Sequence, residues 1–491
     1  MRLTELMGGN RALVLPASDS DPEISGLVSD SRAVEPGFLF AALAGTRTDG
    51  SRFVGEAVDR GAVAVLVADA APFAALTTRR PPVQVIEDAN PRRRLALMAA
   101  RFHAPQPRTV VAVTGTNGKT SVADFTRQIW QRHGLPAASL GTLGIVGPDF
   151  TQPGSLTTPD PVALHRALQA LAGSGIDHVA LEASSHGLDQ YRLDGLALAA
   201  AAFTNLTRDH LDYHAGMAEY FAAKSRLFAE LLPQDGVAVL NLDAAEGRQL
   251  AALCRDRGQR VIGIGTAASA DLRLVAARPT ATGQAITVAA LGAMRELELP
   301  LLGGFQASNA LAALGLAVAT GTPVDTALAA LAGLAGVPGR MEHVASAGSG
   351  APVIVDYAHT PDALQTALRA LRPHCRGRLV VVFGGGGDRD PGKRPMMGAV
   401  AERDADIAIV TDDNPRSEDR AAIRRAILAA CPKAREIADR GAAIVTAVAL
   451  LEPGDALLIA GKGHETGQII GREVLPFSDR AAARAAIEAQ R

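Results

Sequence analysis

The glycine-rich stretch Gly115-Thr116-Asn117-Gly118-Lys119-Thr120-Ser121 carries the strongest chemical signal in the sequence. The β-branched run before it, 109–113, predicts a buried strand, and residues 121–133 predict a helix that ends before Gly134. A strand, a glycine turn and a helix start present backbone N–H groups to an anion, and Lys119 adds a positive charge. Thr120 supplies a hydroxyl where a phosphate-bound Mg²⁺ would lie. The stretch therefore predicts a binding site for nucleotide phosphates.

The loop differs from the general phosphate-binding pattern G-x-x-x-x-G-K-[ST], because Val113 occupies the position of the first glycine. This shortened spacing argues against a P-loop motor protein. The alternative interpretation is an ordinary turn between a strand and a helix, with a lysine on the surface.

Three further features follow predicted elements of the same region, at the edge of a parallel sheet where ligands bind. Glu182 ends one strand and suits a metal-binding carboxylate, and the segment 205–214 follows the next strand with Arg, Asp and His close together. Lys224 comes one helix later. Taken singly, the histidine fits a helix cap or a packing role and the lysine a solvated surface. Their common position after successive strands predicts one site beside the phosphate loop.

Five segments together resemble the Mur ligases of peptidoglycan synthesis, across essentially the whole chain. They are the phosphate loop, Glu-Ala-Ser-Ser-His-Gly at 182–187, the segment 205–214, Asp-Tyr-Ala-His-Thr-Pro at 356–361 and Gly-Lys-Gly-His-Glu at 461–465. The resemblance implies an ATP-dependent amide ligase that uses Mg²⁺ and acts on UDP-N-acetylmuramoyl-L-Ala-D-Glu. The D-glutamate γ-carboxylate would take the γ-phosphoryl group of ATP, and an amine would then displace phosphate from the acyl phosphate. The protein's part is positioning and charge neutralisation.

The resemblance assigns roles to residues at matching positions. ATP binding falls on Gly115, Thr116, Asn117, Gly118, Lys119, Thr120, Ser121, Asn309, Arg340 and Asp356. Gln306 stands in the adenine loop where the family more often has asparagine. The implied catalytic residues are Lys119, Glu182, His210 and Lys224, and the implied Mg²⁺ ligands are Thr120, Glu182, His210 and Lys224, the last as the carbamate N6-carboxylysine.

The same resemblance places the nucleotide-sugar peptide on two groups of residues. Its uridine-binding region corresponds to Ser29, Ser31, Thr46, Arg47 and Thr48, and its muramoyl-peptide contacts correspond to Thr157, Thr158, Ser184, Gln190 and Arg192.

The choice of amino acid depends on Asp413-Asn414-Pro415-Arg416, which matches the family's pattern for meso-2,6-diaminopimelate. An arginine pairs bidentately with the distal carboxylate that lysine lacks, and lysine-adding relatives lack this arginine. Arg389 is expected to add a second positive contact, and Gly461 and Glu465 to hold the remaining backbone and ammonium groups. Without the resemblance, residues 413–416 are simply a turn after a strand.

Three domains must position these residues, since 491 residues exceed a single hydrophobic core. Alternating strand and helix patterns predict an α/β protein throughout. Residues 1–105 are expected to form a small α/β substrate domain and residues 106–336 a central P-loop-type ATPase domain with a mostly parallel sheet. Residues 337–491 are expected to form a doubly wound, Rossmann-like domain that binds the amino acid. Among the predicted elements are strands at 201–205 and 407–411 and a helix at 219–232.

Composition and charge argue against several other classes of protein. A net charge of −2 gives no indication of nucleic acid or a membrane surface as partner. No apolar run approaches the roughly 18–20 residues of a membrane span, the first ten residues lack a signal-peptide pattern, and the three cysteines match no metal spacing. We expect a cytoplasmic monomer that binds small molecules, with no nucleic acid and no membrane insertion.

Three alternatives stay open: the same reaction with L-lysine, another Mur or folylpolyglutamate-type ligase, and a non-catalytic nucleotide-binding module. The N-terminal domain and the 413–416 motif argue against the second. The third would lack some of Lys119, Glu182, Lys224 and His210, and all four are present.

Overall fold

The computed structural model describes residues 1–9, 21–45, 48–79, 81–154, 156–211, 213–280 and 283–490. The chain divides into two compact units. The first comprises Met1–Ala112, Pro136–Ala199 and Ala223–Pro233, and the second comprises Val113–Leu135, Ala200–Ala222 and Gln234–Arg491. Among the residues so described, no helix combines the length and the apolar character that crossing a membrane requires.

A small parallel sheet opens the first unit, and its strands pair in the order β1-β2-β3-β4. The elements are α1 (Leu3–Leu6), β1 (Gly26–Val28), β2 (Phe38–Ala41), α2 (Val54–Asp59), β3 (Ala64–Val67), β4 (Gln84–Glu87) and α3 (Pro91–Phe102), with 3₁₀ turns at Ser31–Ala33, Gly50–Phe53 and Ala71–Thr78. Alternate strand residues face two separate apolar clusters, one on each side of the sheet. This confirms the expected α/β arrangement of the N-terminal region.

The middle of the chain supplies eleven strands and seven helices among the described residues. The strands are β5 (Thr109–Thr114), β6 (Ala137–Gly141), β7 (Gly144–Val146), β8 (Thr151–Gln152), β9 (His178–Glu182), β10 (Leu198–Phe203), β11 (Val237–Asn241), β12 (Arg260–Gly265), β13 (Leu272–Pro279), β14 (Gln284–Ala290) and β15 (Ala293–Leu299). The helices are α4 (Lys119–Arg132), α5 (Pro161–Gly173), α6 (Ser185–Asp189), α7 (Met217–Arg226), α8 (Ala245–Asp256), α9 (Gly304–Ala319) and α10 (Val324–Leu331).

Within the first unit, β6 runs parallel to β9, with Leu140 opposite Leu181, so the two strands end side by side. Strands β7 and β8 extend that pair in antiparallel fashion. Within the second unit, β10 to β13 are parallel and β13 to β15 form an antiparallel meander. The predicted mostly parallel sheet is therefore confirmed.

Several predicted elements differ in detail from the observed ones; the strand expected at 407–411, for example, ends at Val410. Two further differences concern β10 and α7. The strand expected at 201–205 ends at Phe203. The Thr204 N–H still donates to the carbonyl of Thr114 at the end of β5, but the Thr204 hydroxyl and the Asn205 amide oxygen hydrogen-bond Asn117 of the phosphate loop. The helix expected at 219–232 is α-helical only to Arg226 and continues as a π-helical turn, Leu227–Leu231.

The remainder of the second unit forms a six-stranded sheet in the order β16-β17-β21-β18-β19-β20, parallel except for β16, and a separate hairpin of β22 and β23. The strands are β16 (Glu342–Ser346), β17 (Pro352–Asp356), β18 (Leu379–Phe383), β19 (Ile407–Val410), β20 (Arg435–Glu436), β21 (Ala456–Ala460), β22 (Gly467–Ile470) and β23 (Glu473–Pro476). The helices are α11 (Pro361–Leu371), α12 (Lys393–Asp404), α13 (Arg420–Leu428), α14 (Arg440–Ala449) and α15 (Asp479–Glu488), with a 3₁₀ turn at Arg372–His374.

Helices cover both faces of this sheet, since α11 to α13 contribute to one apolar cluster and α14 and α15 to the other. The predicted doubly wound fold is confirmed. The loops that follow β17, β18, β19 and β21 leave the same, carboxyl edge of the sheet, where ligands bind in such folds.

Candidate functional site

The phosphate loop connects β5 to α4 in the second unit, and its two glycines are required by close neighbours. Gly115 has φ +144°, and a Cβ there would lie 3.1 Å from the backbone nitrogen of Asn205 and closer still to the Thr204 hydroxyl. Gly118 has φ +88°, and a Cβ there would lie 3.3 Å from Cγ of Asn309, with its amide oxygen nearer. Left-handed backbone at Gly118 starts α4, so the helix begins two residues earlier than predicted.

Hydrogen bonds from the segment after β10 hold the loop. The Thr116 N–H donates to the Asn205 carbonyl at 2.8 Å, and the Asn117 N–H donates to Oδ1 of Asn205 at 3.0 Å. The Thr207 N–H donates to the Thr116 hydroxyl at 2.9 Å. Lys119 reaches back across the turn, its ammonium donating to the carbonyls of Gly115 (2.9 Å) and Thr116 (2.8 Å). Hydrogen bonds to other parts of the chain therefore hold the loop in this conformation.

A cavity of about 360 Å³ opens beside this loop. Of the residues expected to bind ATP, Asn117, Gly118, Ser121, Asn309, Arg340 and Asp356 line it, together with the rings of Phe305, Tyr357 and His359. The structure therefore brings three parts of the chain to one cavity: the phosphate loop, the segment expected to contact adenine, and Arg340 with Asp356.

Arg340 is the principal cation at this cavity. Its guanidinium carbon lies 4.5 Å from the centre of the Tyr357 ring, and Nη2 donates to the Thr120 hydroxyl at 3.3 Å. Nε of Arg340 is buried without a hydrogen-bond partner among the described residues. Burial raises the pKa of the Asp356 carboxyl even though Arg340 counteracts it, and Oδ2 of Asp356 accepts the Met341 N–H at 2.7 Å. A half-buried guanidinium whose buried Nε has no protein acceptor suits an anionic ligand.

His210 lies in the loop after β10, where its φ of +53° turns the backbone sharply. Oδ1 of Asp209 accepts the His210 N–H at 2.9 Å and the Lys393 ammonium at 2.9 Å, while Oδ2 lies 3.6 Å from Nε2 of His210. Burial pushes the pKa of Asp209 upward, but His210, Lys393 and His359 outweigh it and hold that pKa well below its usual range. Asp209 is therefore an anion held between His210, in the loop after β10, and Lys393, at the start of α12.

In the first unit, Glu182 ends β9 with a side chain that is 2% exposed. Its carboxylate accepts the Thr142 N–H at 2.7 Å and the Thr142 hydroxyl at 3.3 Å. A Cβ on Gly141 would lie 2.5 Å from Cγ of Glu182 and 2.6 Å from Cδ. The register of β6 and β9 places the Glu182 carboxylate against Gly141, and any side chain larger than that of glycine would occupy the same space.

The residues expected to contact the muramoyl peptide form one hydrogen-bonded group in the same unit. The Thr158 hydroxyl donates to the Glu182 carbonyl at 2.8 Å and accepts the Ser184 N–H at 3.0 Å. The Arg192 guanidinium donates to the Thr158 carbonyl at 2.6 Å and to Oε1 of Gln190 at 2.7 Å. Thr157 joins through its hydroxyl, 3.1 Å from that of Thr142. Lys224, also in this unit, is 1% exposed.

The residues expected to bind uridine do not form a comparable hydrogen-bonded group among the described residues. Ser29 and Thr48 are exposed, whereas Ser31 is buried and donates to Oε2 of Glu56 at 3.2 Å. No hydrogen bond between described residues joins Ser29 or Ser31 to Thr48. Thr46 and Arg47 lie outside the described residues.

The residues expected to bind the amino acid come together at the carboxyl edge of the six-stranded sheet. Asp413 and Asn414 are 6% and 5% exposed, and Nδ2 of Asn414 donates to Oε2 of Glu465 at 2.8 Å. Gly461 has φ +120°, and a Cβ there would lie 2.5 Å from Oδ2 of Asp413. Carboxylates, an amide and a bare glycine backbone therefore share one small region.

Arg416 follows at φ +51°, its Nη1 donating to the Gly387 carbonyl at 2.8 Å, and Pro415 before it is buried. The hairpin of β22 and β23 contacts this segment, since the Arg416 N–H donates to the Ile469 carbonyl at 3.1 Å. Arg389 is exposed, and no hydrogen bond joins it to another described residue.

Three polar residues at these places carry no role in the sequence-based assignment: Thr142, Lys393 and Lys462. Thr142 follows a strand end and Lys462 lies inside the 461–465 motif, so position alone would have flagged both. No sequence signal links Lys393 to Asp209, because that ion pair depends on how α12 packs.

Groups of three or more His, Cys, Asp or Glu side chains able to hold a metal ion are absent from the described part of the chain. Magnesium bound through nucleotide phosphates needs only one or two protein carboxylates, so a small donor set suffices.

Comparison with known proteins gives consistent matches along the chain. Three family models match in succession: the Mur ligase family catalytic domain at residues 23–103, the Mur ligase middle domain at 113–317, and the Mur ligase glutamate ligase domain at 339–463. Two curated proteins named UDP-N-acetylmuramoyl-L-alanyl-D-glutamate–2,6-diaminopimelate ligase are similar over 99% of each chain, at 54% identity in Bradyrhizobium diazoefficiens and 52% in Mesorhizobium japonicum. A solved structure of a ligase of that name superposes with a TM-score of 0.71 at 32% identity, covering 100% of this chain and 99% of its own.

Proposed function

The chain belongs to the Mur ligase family, and on that premise we propose that it joins meso-2,6-diaminopimelate to UDP-N-acetylmuramoyl-L-Ala-D-Glu at the expense of ATP. One observation carries the proposal. The Arg416 guanidinium donates to the Asn414 carbonyl at 3.4 Å, and Asn414 in turn contacts the partly exposed Glu465 next to the buried Asp413. A cation and anions therefore share the amino-acid region. Full-length relatives that bear the name of this activity support the same conclusion.

ATP would occupy the cavity beside the phosphate loop. The loop N–H groups and the start of α4 favour the phosphates, and the Lys119 ammonium would turn from the loop carbonyls to the β- and γ-phosphates. Asn309 would contact the base, while Arg340 and Asp356, which line the same cavity, would contact the rest of the nucleotide. The orphaned Nε of Arg340 supports an anion at this point.

The reaction would proceed in two balanced steps. The D-glutamate γ-carboxylate attacks the γ-phosphorus of ATP, which forms an acyl phosphate and releases ADP. A neutral amine of diaminopimelate then attacks the acyl carbon, and the carbon–oxygen bond to phosphate breaks. The nitrogen loses one proton as the amide forms, and the departing inorganic phosphate takes it up. Phosphorylation makes a poor electrophile reactive, and the protein's contribution is alignment and screening of like charges.

The residues present fit Mg²⁺, which prefers oxygen ligands and is held in nucleotide sites by few protein groups. Glu182 supplies a buried carboxylate and Thr120 a hydroxyl, and we propose that both act as ligands. Lys224, buried and carbamylated, would add a second carboxylate-like ligand, and His210 would complete the surroundings. When bound, the metal would screen the repulsion between the substrate carboxylate and the triphosphate.

The nucleotide-sugar peptide would lie on the first unit. We assign the muramoyl peptide to the hydrogen-bonded group of Thr157, Thr158, Ser184, Gln190 and Arg192, whose mutual bonds leave it rigid. Rigid polar groups lose little entropy when a ligand binds. We assign the uridine to Ser29, Ser31 and the loop 46–48.

For the amino acid, the distal carboxylate would pair with Arg416, assisted by the exposed Arg389. Asp413, Asn414, Glu465 and the backbone at Gly461 would hold the ammonium and the remaining groups. L-lysine has no distal carboxylate, so it would leave a charged guanidinium without its partner.

We retain the division into domains at 1–105, 106–336 and 337–491 as part of the proposal, together with a monomeric state. A cytoplasmic location follows from the reaction, since ATP and nucleotide-sugar precursors are its substrates.

Phosphate release from ATP in the presence of UDP-N-acetylmuramoyl-L-Ala-D-Glu tests the proposal. We expect release that requires both the nucleotide substrate and meso-diaminopimelate. Release with L-lysine instead would retain the ligase and reject the specificity, and no release with either amino acid would reject the proposed function.

A further inference from the structure

Lys462 lies in the loop after β21, between Gly461 and Gly463, and its side chain is 0% exposed. Its ammonium donates to Oδ1 of Asn414 at 2.8 Å and to Oε2 of Glu465 at 3.1 Å. It also lies 3.6 Å from Oδ1 of Asp413. A buried lysine that touches three polar side chains of the amino-acid region needs a physical reason, since burial of a charge is costly.

These bonds fix the orientation of the Asn414 amide. Its oxygen accepts from two donors, the Lys462 ammonium and the Ile469 N–H at 2.9 Å, so its nitrogen must face the other way. That nitrogen donates to Oε2 of Glu465 at 2.8 Å. Lys462 and Asn414 therefore converge on the same oxygen of Glu465, and no hydrogen bond between described residues engages the second oxygen, Oε1.

The balance of charges in this region also favours binding of a substrate ammonium. Asp413 and Glu465 supply two negative charges and Lys462 one positive charge. The nearby cation Arg440 is already matched, since Nε and Nη2 each lie 2.7 Å from a carboxylate oxygen of Asp479. Arg416, which donates to the Asn414 carbonyl at 3.4 Å, is assigned to the distal carboxylate of the substrate. One negative charge therefore remains to attract the substrate ammonium. Without Lys462, the carboxylates of Asp413 and Glu465 would lose the ammonium that contacts both, which favours protonation or outward rotation of one of them.

We propose that Lys462 is a positioning residue for the amino-acid substrate. It holds Asn414 and Glu465 as one preformed acceptor, with Oε1 of Glu465 turned toward the place of the incoming ammonium. This rests on the proposed function, because it assumes that the region around Asp413 binds the amino acid. Lys462 acts through its neighbours and leaves nucleotide binding to other residues.

The test compares Lys462→Met with a matched control, Lys433→Met, in the full-length enzyme. Lys433 also pairs with a glutamate, Glu402 at 2.9 Å, but its side chain is 87% exposed. For Lys462→Met we expect the KM for meso-diaminopimelate to rise about tenfold to a hundredfold, the range for loss of a hydrogen bond to a charged group. The KM values for ATP and for the nucleotide-sugar peptide should stay within about twofold of the wild-type values.

A double-mutant cycle with Glu465→Gln adds a readout that a purely structural role would not give. If Lys462 acts through Glu465, the two effects on the KM for diaminopimelate should be strongly non-additive. Additive effects, an unchanged KM, or an equal rise in the KM for ATP would overturn the proposal.

Wild-type turnover with diaminopimelate is measured first, so failure of the proposed function is separate from failure of this inference. If Lys462→Met does not fold, as judged by circular dichroism, Lys462→Gln is measured against the same criteria. If neither variant folds, Lys462 is a folding requirement and the positioning role is rejected.

Discussion

Replacing Gly141 with alanine tests the role of Glu182 without removing its carboxylate. Gly141 ends β6, beside the end of β9, and its φ lies outside the left-handed region, so alanine suits the backbone. The added methyl group, however, would lie 2.5 Å from Cγ of Glu182 and 2.6 Å from Cδ. Ordinary contacts begin near 3.4 Å, so the Glu182 side chain must retreat by about 0.9 Å at Cγ and farther at Oε1, which is the nearest atom.

A displacement of that size has a calculable consequence. Misplacing a group in an active site by about 1 Å costs on the order of a hundredfold in rate. We therefore expect Gly141→Ala to lower kcat for phosphate release by about two orders of magnitude and to raise the Mg²⁺ concentration needed for half-maximal rate. Overpacking should also lower the free energy of unfolding by about 1–3 kcal/mol.

Gly173→Ala is the matched control in the same unit, since a Cβ there meets no atom within 4 Å. Its kcat should be unchanged. Rates and thermal melts are compared under conditions in which both variants are folded. A folded Gly141→Ala variant with wild-type kcat and Mg²⁺ dependence would refute the assignment of Glu182 to the metal.

Further predictions follow from the other residues. Arg416→Ala should lower kcat/KM for diaminopimelate about 10- to 150-fold while the ATP affinity measured by calorimetry is unchanged, because one charged hydrogen-bonding partner of the substrate is lost; an unchanged kcat/KM would contradict the specificity assignment. Lys224→Ala should lose activity that added acetate or formate partly restores, whereas a fully active variant would remove the carbamate from the mechanism. Burial lowers the pKa of His165 from 6.5 to about 4, and its Nε2 lies 3.1 Å from the Asp194 carbonyl. The unfolded chain therefore binds the proton at a higher pH than the folded chain, so stability should fall by about 3 kcal/mol between pH 6.5 and pH 4. In His165→Gln this part of the pH dependence of urea unfolding should disappear, and an unchanged slope would contradict it.

The sequence predicted the phosphate loop and its flanking elements because local chemistry determines them. A β-branched run makes β5, and glycines at 115 and 118 permit backbone angles that other residues resist. The parallel sheets followed from alternating strand and helix patterns for the same reason. The end of β10 was misjudged, because Thr204 and Asn205 have strand-like neighbours in sequence but partners far along the chain.

The assembly of the candidate site was only partly predictable. That Thr142 faces Glu182 depends on the register between β6 and β9, which no local pattern encodes. The motif at 461–465 draws attention to Lys462, but nothing local indicates that tertiary packing buries its side chain against Asn414. The hairpin of β22 and β23 was missed because four-residue strands give too short an alternation to recognise.

The mass of the product formed when the two amino acids compete tests both the proposed reaction and its specificity. The enzyme is incubated with ATP, Mg²⁺, UDP-N-acetylmuramoyl-L-Ala-D-Glu and equimolar meso-diaminopimelate and L-lysine. We expect one nucleotide product, heavier than the substrate by diaminopimelate less one water, and ADP in equal amount. A lysine adduct, a mixture of both adducts in similar amounts, or ADP without any adduct would contradict it.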